Sequence, residues 1–269
     1  MEILGFALAA LVGISLGLIG GGGSILTVPI LVYVMGVSPI LATSYSLFIV
    51  GSTSMVGAFN NYRKGFVQIK TALLFGVASI TTVFLTRKFI ISAIPKEIAT
   101  IGNFILTENM LMMILFAILM LVASIAMIKN GSKDEVEQTT DIIKAKKINL
   151  PELLMYGIAI GLATGLLGAG GGFLLIPTLV LLGGLPMKEA VGTSLLIIAL
   201  NSLIGFTGDL EHFIMDWVFL AKITAIAVAG IFVGSYLSKK IDGAKLKKAF
   251  GWFVLIMGIY ILVKEIVLK

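Results

Sequence analysis

The chain has 269 residues, of which 58% are hydrophobic and 13% charged, and its mean hydropathy is +1.10. A soluble domain carries roughly a quarter charged residues, so a soluble globule, a disordered chain and a disulfide scaffold are excluded. The net charge is +6, but the lysines stand in loops between apolar runs, a placement that serves membrane topology and not nucleic-acid binding. With no cysteine, disulfides, thiol catalysis and iron–sulfur chemistry are also excluded.

In chain order the apolar runs are 3–35, 39–59, 68–91, 107–128, 150–182, 187–208, 217–238 and 249–268. They do not alternate as barrel strands do, so they predict an all-α, polytopic membrane protein. The first run has no Lys or Arg within residues 1–20 and continues past any plausible cleavage point; it reads as retained membrane segment and not as a signal peptide. Residues 129–149 hold five lysines and four acids and read as an exposed linker. It separates a first membrane repeat, 1–128, from a second, 150–269.

The two repeats align. A shift of 148 residues lays GISLGLIGGGGSILTVPILV (13–32) on GLATGLLGAGGGFLLIPTLV (161–180), with ten of twenty positions identical. Gly13, Gly17, Gly20, Gly22, Gly23 and Pro29 fall on Gly161, Gly165, Gly168, Gly170, Gly171 and Pro177. Chance likeness between apolar segments matches Leu and Val, not six Gly/Pro positions in register. With two more residues of shift, Thr43 and Ser44 meet Thr193 and Ser194, and Ser52 meets Ser202. Internal duplication is typical of secondary transporters.

Residues 3–35 as one helix would span about 50 Å, against a hydrocarbon core of about 30 Å. Gly20, Gly21, Gly22 and Gly23 interrupt this run and cost a helix roughly 3–4 kcal/mol; Gly168, Gly170, Gly171, Gly172 and Pro177 repeat the arrangement, with Ala169 standing where the first copy has Gly21. Unwound backbone at membrane depth must face protein or a cavity. If each broken run is a hairpin, each half has five segments, the second half is inverted, and fourteen of the twenty Lys and Arg lie on one face. If each run crosses once, each half has four segments and the split is eleven to nine. The positive-inside rule favours the hairpins, with the linker cytoplasmic.

A helix restarting after a glycine turn presents unpaired N–H groups and partial positive charge, which suits an anion. Restarts at Ser24–Ile25 and Gly172–Phe173 are expected to face each other near mid-membrane, with hydroxyls from Thr43, Ser44, Thr193 and Ser194 and the amide of Asn201 as added donors. The competing roles are ordinary ones. Gly13-x-x-x-Gly17 and Gly161-x-x-x-Gly165 suit helix packing, buried hydroxyls often bond their own backbone, and Asp209, Glu211, His212 and Asp216 read as a solvated loop. No Walker motif, metal-ligand cluster or Ser-His-Asp set is present, so neither enzyme activity nor a cofactor is expected.

GLIGGGGSILTVPIL (17–31) and GLLGAGGGFLLIPTLVLL (165–182), followed by ATS (42–44) and GTS (192–194), resemble the TauE/SafE sulfite exporter family over nearly the whole chain. The resemblance implies a cytoplasmic-membrane permease of a prokaryote for sulfite or an organosulfonate, with both glycine clusters and Thr43, Ser44, Thr193 and Ser194 at the substrate. Its partners are then that anion and membrane lipid, with room for a homodimer. An anion channel lined by the same donors, or a structural membrane subunit, are the other readings.

Overall fold

The computed structural model describes residues 2–101, 104–130, 150–181, 183–237 and 243–267; most of the expected linker, 131–149, lies outside them. The first half begins with α1 (Glu2–Ile19), a 3-10 segment (Gly21–Leu26) and α2 (Thr27–Tyr33). It continues with α3 (Pro39–Arg63), α4 (Ile69–Leu85) and α5 (Glu108–Asn130). The second half contains α6 (Leu150–Leu167), α7 (Gly172–Leu181), α8 (Met187–Thr207), α9 (Trp217–Leu237) and α10 (Gly243–Ile266). Among the described residues six helices are long and apolar enough to cross a membrane, while α1, α6 and the arm ending at Tyr33 are shorter apolar helices. The protein is therefore all-α and polytopic, a multi-pass cell-membrane protein. One small departure is a hairpin of β1 (Glu97–Ile101) and β2 (Phe104–Thr107), paired antiparallel. Its two apolar runs are separated in sequence by Gly102-Asn103, a pair that favours tight hairpin turns.

Helix directions answer the hairpin question. The start of α1 meets the end of α2, since a Cβ on Gly5 would fall on the Met35 side chain, while Gly23 backs onto Ser15 and Leu16. The first broken run thus turns back on itself. Helices α3 and α8 run antiparallel, with Gly51 on Leu203, Gly57 on Leu195 and Gly205 on Leu47. Helices α5 and α10 also run antiparallel, with Gly251 on Met127 and Ile128, and Gly258 on Met120 and Leu121. By contrast α1 lies parallel to α9 and α6 parallel to α4. If each broken run crossed once, α3 and α8 would point the same way; reversal at each glycine turn makes them oppose.

The glycines explain the parallel pairs. A Cβ on Gly13 would land on the Ala227 carbonyl, and one on Gly17 would land on the Ile231 carbonyl. Gly161 meets Ser79 and Thr82 in the same manner, with the Ser79 carbonyl oxygen 2.7 Å from its Cβ position, and Gly165 meets Thr86. Backbones this close leave no room for side chains, so small residues set the approach.

These contacts exchange under the 148-residue shift. Gly13 on Ala227 becomes Gly161 on Ser79, and Gly17 beside Gly234 becomes Gly165 beside Thr86. Gly20 on Val191 becomes Gly168 on Thr43. Two hydrogen bonds exchange as well. The Gln68 N–H donates to Thr193 Oγ1 at 2.9 Å, and the Asp216 N–H donates to Tyr45 Oη at 2.8 Å. Helices α3 and α8 begin 148 residues apart, at Pro39 and Met187. At this shift Thr43 stands opposite Val191 and Thr193 opposite Tyr45, two residues from the pairing of Thr43 with Thr193.

Candidate functional site

Both glycine turns lie inside the helix bundle and interlock. Gly20 adopts φ 76°, a conformation open to glycine, and abuts Val191 and the Ile176 side chain of α7. At the second turn Gly168, Gly170 and Gly171 have φ between 66° and 67°, whereas among the described residues no non-glycine residue has positive φ. That is why Ala169 is accommodated between them. The returning arm of each hairpin passes the turn of the other: α7 passes Gly20, and the Ser24 hydroxyl donates to the Ala169 carbonyl. Ser46 Oγ donates to the Gly168 carbonyl at 2.7 Å.

The two restarts differ. After Gly172 the chain enters α7 directly, at the expected point. After Gly20 it first forms the 3-10 segment, and the α-helix resumes at Thr27 and not at Ser24–Ile25. Short 3-10 turns of this kind are frequent at the N-termini of α-helices.

The expected hydroxyl donors are buried but do not converge. Thr43 lies against Gly168, and its hydroxyl donates to the Ile40 carbonyl at 2.7 Å. Ser44 Oγ reaches the same carbonyl at 3.4 Å, and Ser194 Oγ donates to the Val191 carbonyl at 2.9 Å. Thr193 holds the Gln68 N–H near the α3–α4 connection, toward the opposite end of the antiparallel α3–α8 pair from Thr43. Asn201 Oδ1 accepts a bond from Ser79 Oγ at 3.0 Å, while its Nδ2 has no partner among the described residues. The same holds for Ser202 Oγ, 3.6 Å from the Cβ position of Gly170, and for Thr164 Oγ1, which borders Gly171. Beyond the first turn, Thr27 Oγ1 is likewise buried without a partner. Unpaired buried polar atoms are costly, and here two, Thr164 Oγ1 and Ser202 Oγ, border one turn.

The charged residues depart most from expectation. Arg87, inside the apolar run 68–91, is fully buried, and so is Asp209, assigned above to a solvated loop. Arg87 Nη1 lies 3.2 Å from Asp209 Oδ2 and donates to Thr43 Oγ1 at 3.0 Å. Arg87 is carried inward by a π-helical turn, Thr86–Ile91, that continues α4. Its neighbour Lys88 stays at the surface beside Glu211. Asp209 is drawn inward because α8 ends at Thr207 directly against Arg87, where a Cβ on Gly208 would lie 3.1 Å from the Arg87 Cβ. His212 is exposed, as expected of a loop histidine. Asp216 caps α9, its Oδ1 accepting the Phe219 N–H at 3.0 Å. An arginine in an apolar run near the end of a segment was the available signal for the buried pair, but proximity to the interface favours a snorkelling reading.

Comparison with known proteins agrees with this architecture. The family described as sulfite exporter TauE/SafE matches residues 5–261. A probable membrane transporter protein of Xylella fastidiosa (strain 9a5c) is 28% identical over 256 residues, covering 94% of this chain and 91% of its own length. The probable membrane transporter protein YdhB of Bacillus subtilis (strain 168) is 29% identical over 252 residues, covering 94% and 96%. A further probable membrane transporter protein, from Methanocaldococcus jannaschii, is 27% identical over 278 residues, covering 97% and 93%. No solved structure matches. A family match running over residues 5–261, through both glycine turns, leaves one assignment: the chain belongs to the sulfite exporter TauE/SafE family of membrane transporters.

Proposed function

We propose that this chain is a secondary transporter, without enzymatic activity, that moves a small sulfur-containing oxyanion across the cytoplasmic membrane. The substrate class is sulfite or an organosulfonate. Its halves, 1–128 and 150–269, act as inverted repeats that rock about the interlocked glycine turns and expose the site alternately to each side. Antiparallel packing of the counterpart helices α3 and α8, and α5 and α10, supports the inversion.

The observation that carries the reading is that two buried polar atoms bordering the second turn, Thr164 Oγ1 and Ser202 Oγ, have no partner among the described residues, and neither has Asn201 Nδ2, one residue before Ser202 on α8. A packing role alone leaves their desolvation uncompensated, whereas an anion that accepts their hydrogen bonds compensates it. The glycines Gly20 to Gly23 with Ser24, and Gly168 to Gly172 around Ala169, allow backbone to approach that anion closely. Thr43 and Ser44 flank this site at the first turn of α3, while Thr193 and Ser194 shape the first turn of α8 beside the other glycine turn.

Purified protein in proteoliposomes tests the reading. Sulfite or sulfoacetate flux is expected to saturate and to show counterflow. Flux that rises linearly without counterflow identifies an anion channel. Absence of flux for every sulfur anion tried rejects both and leaves a structural role.

A further inference from the structure

We propose that Arg87 is the cationic anchor of the substrate site, holding the anionic head group of the transported molecule through its Nε and Nη2 edge. The proposal deepens the transporter reading and rests on it.

Arg87 has no exposed surface, yet it uses one of its three nitrogens. Nη1 donates to Thr43 Oγ1 at 3.0 Å and to Asp209 Oδ2 at 3.2 Å. Nε and Nη2 have no partner among the described residues. A guanidinium has five N–H donors, and its strongest pairing with a carboxylate is a two-bond fork. An ion pair serving stability alone would engage both carboxylate oxygens with two nitrogens. This one meets end-on and leaves the forked edge, Nε and Nη2, buried and without a protein partner among the described residues. Nε and Nη2 present parallel N–H bonds at the spacing of two oxygens on one sulfur or carbon. The idle edge therefore matches sulfite, a sulfonate or a carboxylate.

Position supports the same assignment. Thr43 links Arg87 to Gly168, so the guanidinium lies two contacts from the second glycine turn. The π-helical turn Thr86–Ile91 aims it inward, and such turns recur at functional sites. The anchor also occurs once. Under the 148-residue shift Arg87 falls on Ser235, and Asp209 on Asn61. The duplicated place lacks both charges, so the carrier takes one anion at one site. In the empty carrier Asp209 balances Arg87, and the arriving anion competes with it for the guanidinium.

The test measures binding by thermal shift and calorimetry on full-length protein in detergent, with sodium sulfite, sulfoacetate, acetate and chloride as probes. The variants are Arg87→Lys, which keeps the charge and loses the fork, and the double variant Arg87→Gln with Asp209→Asn, which keeps the shape and removes both charges. Wild type is expected to bind sulfite or sulfoacetate, and both variants to bind it about tenfold more weakly or worse, the scale of a lost charge-assisted bond. A variant of either kind with the wild-type Kd overturns the anchor and leaves the transporter reading standing. If the double variant does not fold, Arg87→Lys decides alone. Wild-type protein that binds no probe overturns both. Binding of acetate in preference to the sulfur anions, lost in the variants, upholds the anchor and moves the substrate to carboxylates.

Discussion

Asp209 and Arg87 illustrate how far one buried contact can govern stability. Removing one member strands the other charge in a low-dielectric interior, at a cost of about 3–5 kcal/mol. Asp209→Ala is therefore expected to lower the melting temperature sharply, and adding Arg87→Leu is expected to recover most of the loss; a melting curve of each variant checks this. Glycine positions make a different demand. Gly170 has φ 67°, and its Cβ position lies 2.8 Å from Val50 Cγ1 and 3.1 Å from Ile198 Cγ2. Gly170→Val is thus expected to remove both transport and much of the folded protein, so it cannot separate binding from folding. Gly13→Ala is a cleaner probe of packing, since its Cβ would land on a backbone carbonyl of α9 that cannot step aside. A loss of about 1–3 kcal/mol is expected by the usual cost of overpacking, read as a lowered melting temperature. Apolar patterning could foretell that glycines break and pack helices, because those effects act through the local chain. It could not foretell that Asp209 is buried, because only the tertiary meeting of the α8 end with Arg87 makes it so.

At the scale of elements, the decisive feature is the reversal at each glycine turn. The run 3–35 is too long for one crossing and too broken for a straight helix, so sequence admits a hairpin but leaves a bent single crossing open. Charge distribution tips the balance, and helix direction completes it: α3 opposes α8, and α5 opposes α10. What sequence could not resolve was the register between halves beyond the turns, because ATS and GTS offer a local match two residues away from the one that backbone packing follows. The reversal has a direct consequence for exposure. The chain has no cysteine, so single cysteines can be placed at exposed Ser38, Lys64 and Lys188. Hairpins place positions 64 and 188 on one face and 38 on the other. Single crossings place 38 and 188 together and 64 opposite. Labelling of intact cells by a membrane-impermeant maleimide is expected at Ser38→Cys and at neither of the other two.

At the scale of the whole molecule, each half lacks a surface that only the other supplies. Helix α1 lays its glycine stripe on α9, and α6 lays its own on α4. The Ser24 hydroxyl and the Ser46 hydroxyl both bond carbonyls of the second half. Buried donors left without those carbonyls would be orphaned in an apolar medium, where each costs free energy that lipid cannot return. The halves should therefore fold together or not at all. Residues 1–130 and 150–269 expressed as separate chains in one cell are expected to co-purify through a tag on either and to melt cooperatively as one unit. Each expressed alone is expected to be degraded. A first half that purifies alone with its own sharp melting transition would show that the interlocked turns are not what holds the fold. In the split protein, persistence of sulfite counterflow would further show that the rocking halves communicate through packed helices and turns, with no mechanical part played by the linker.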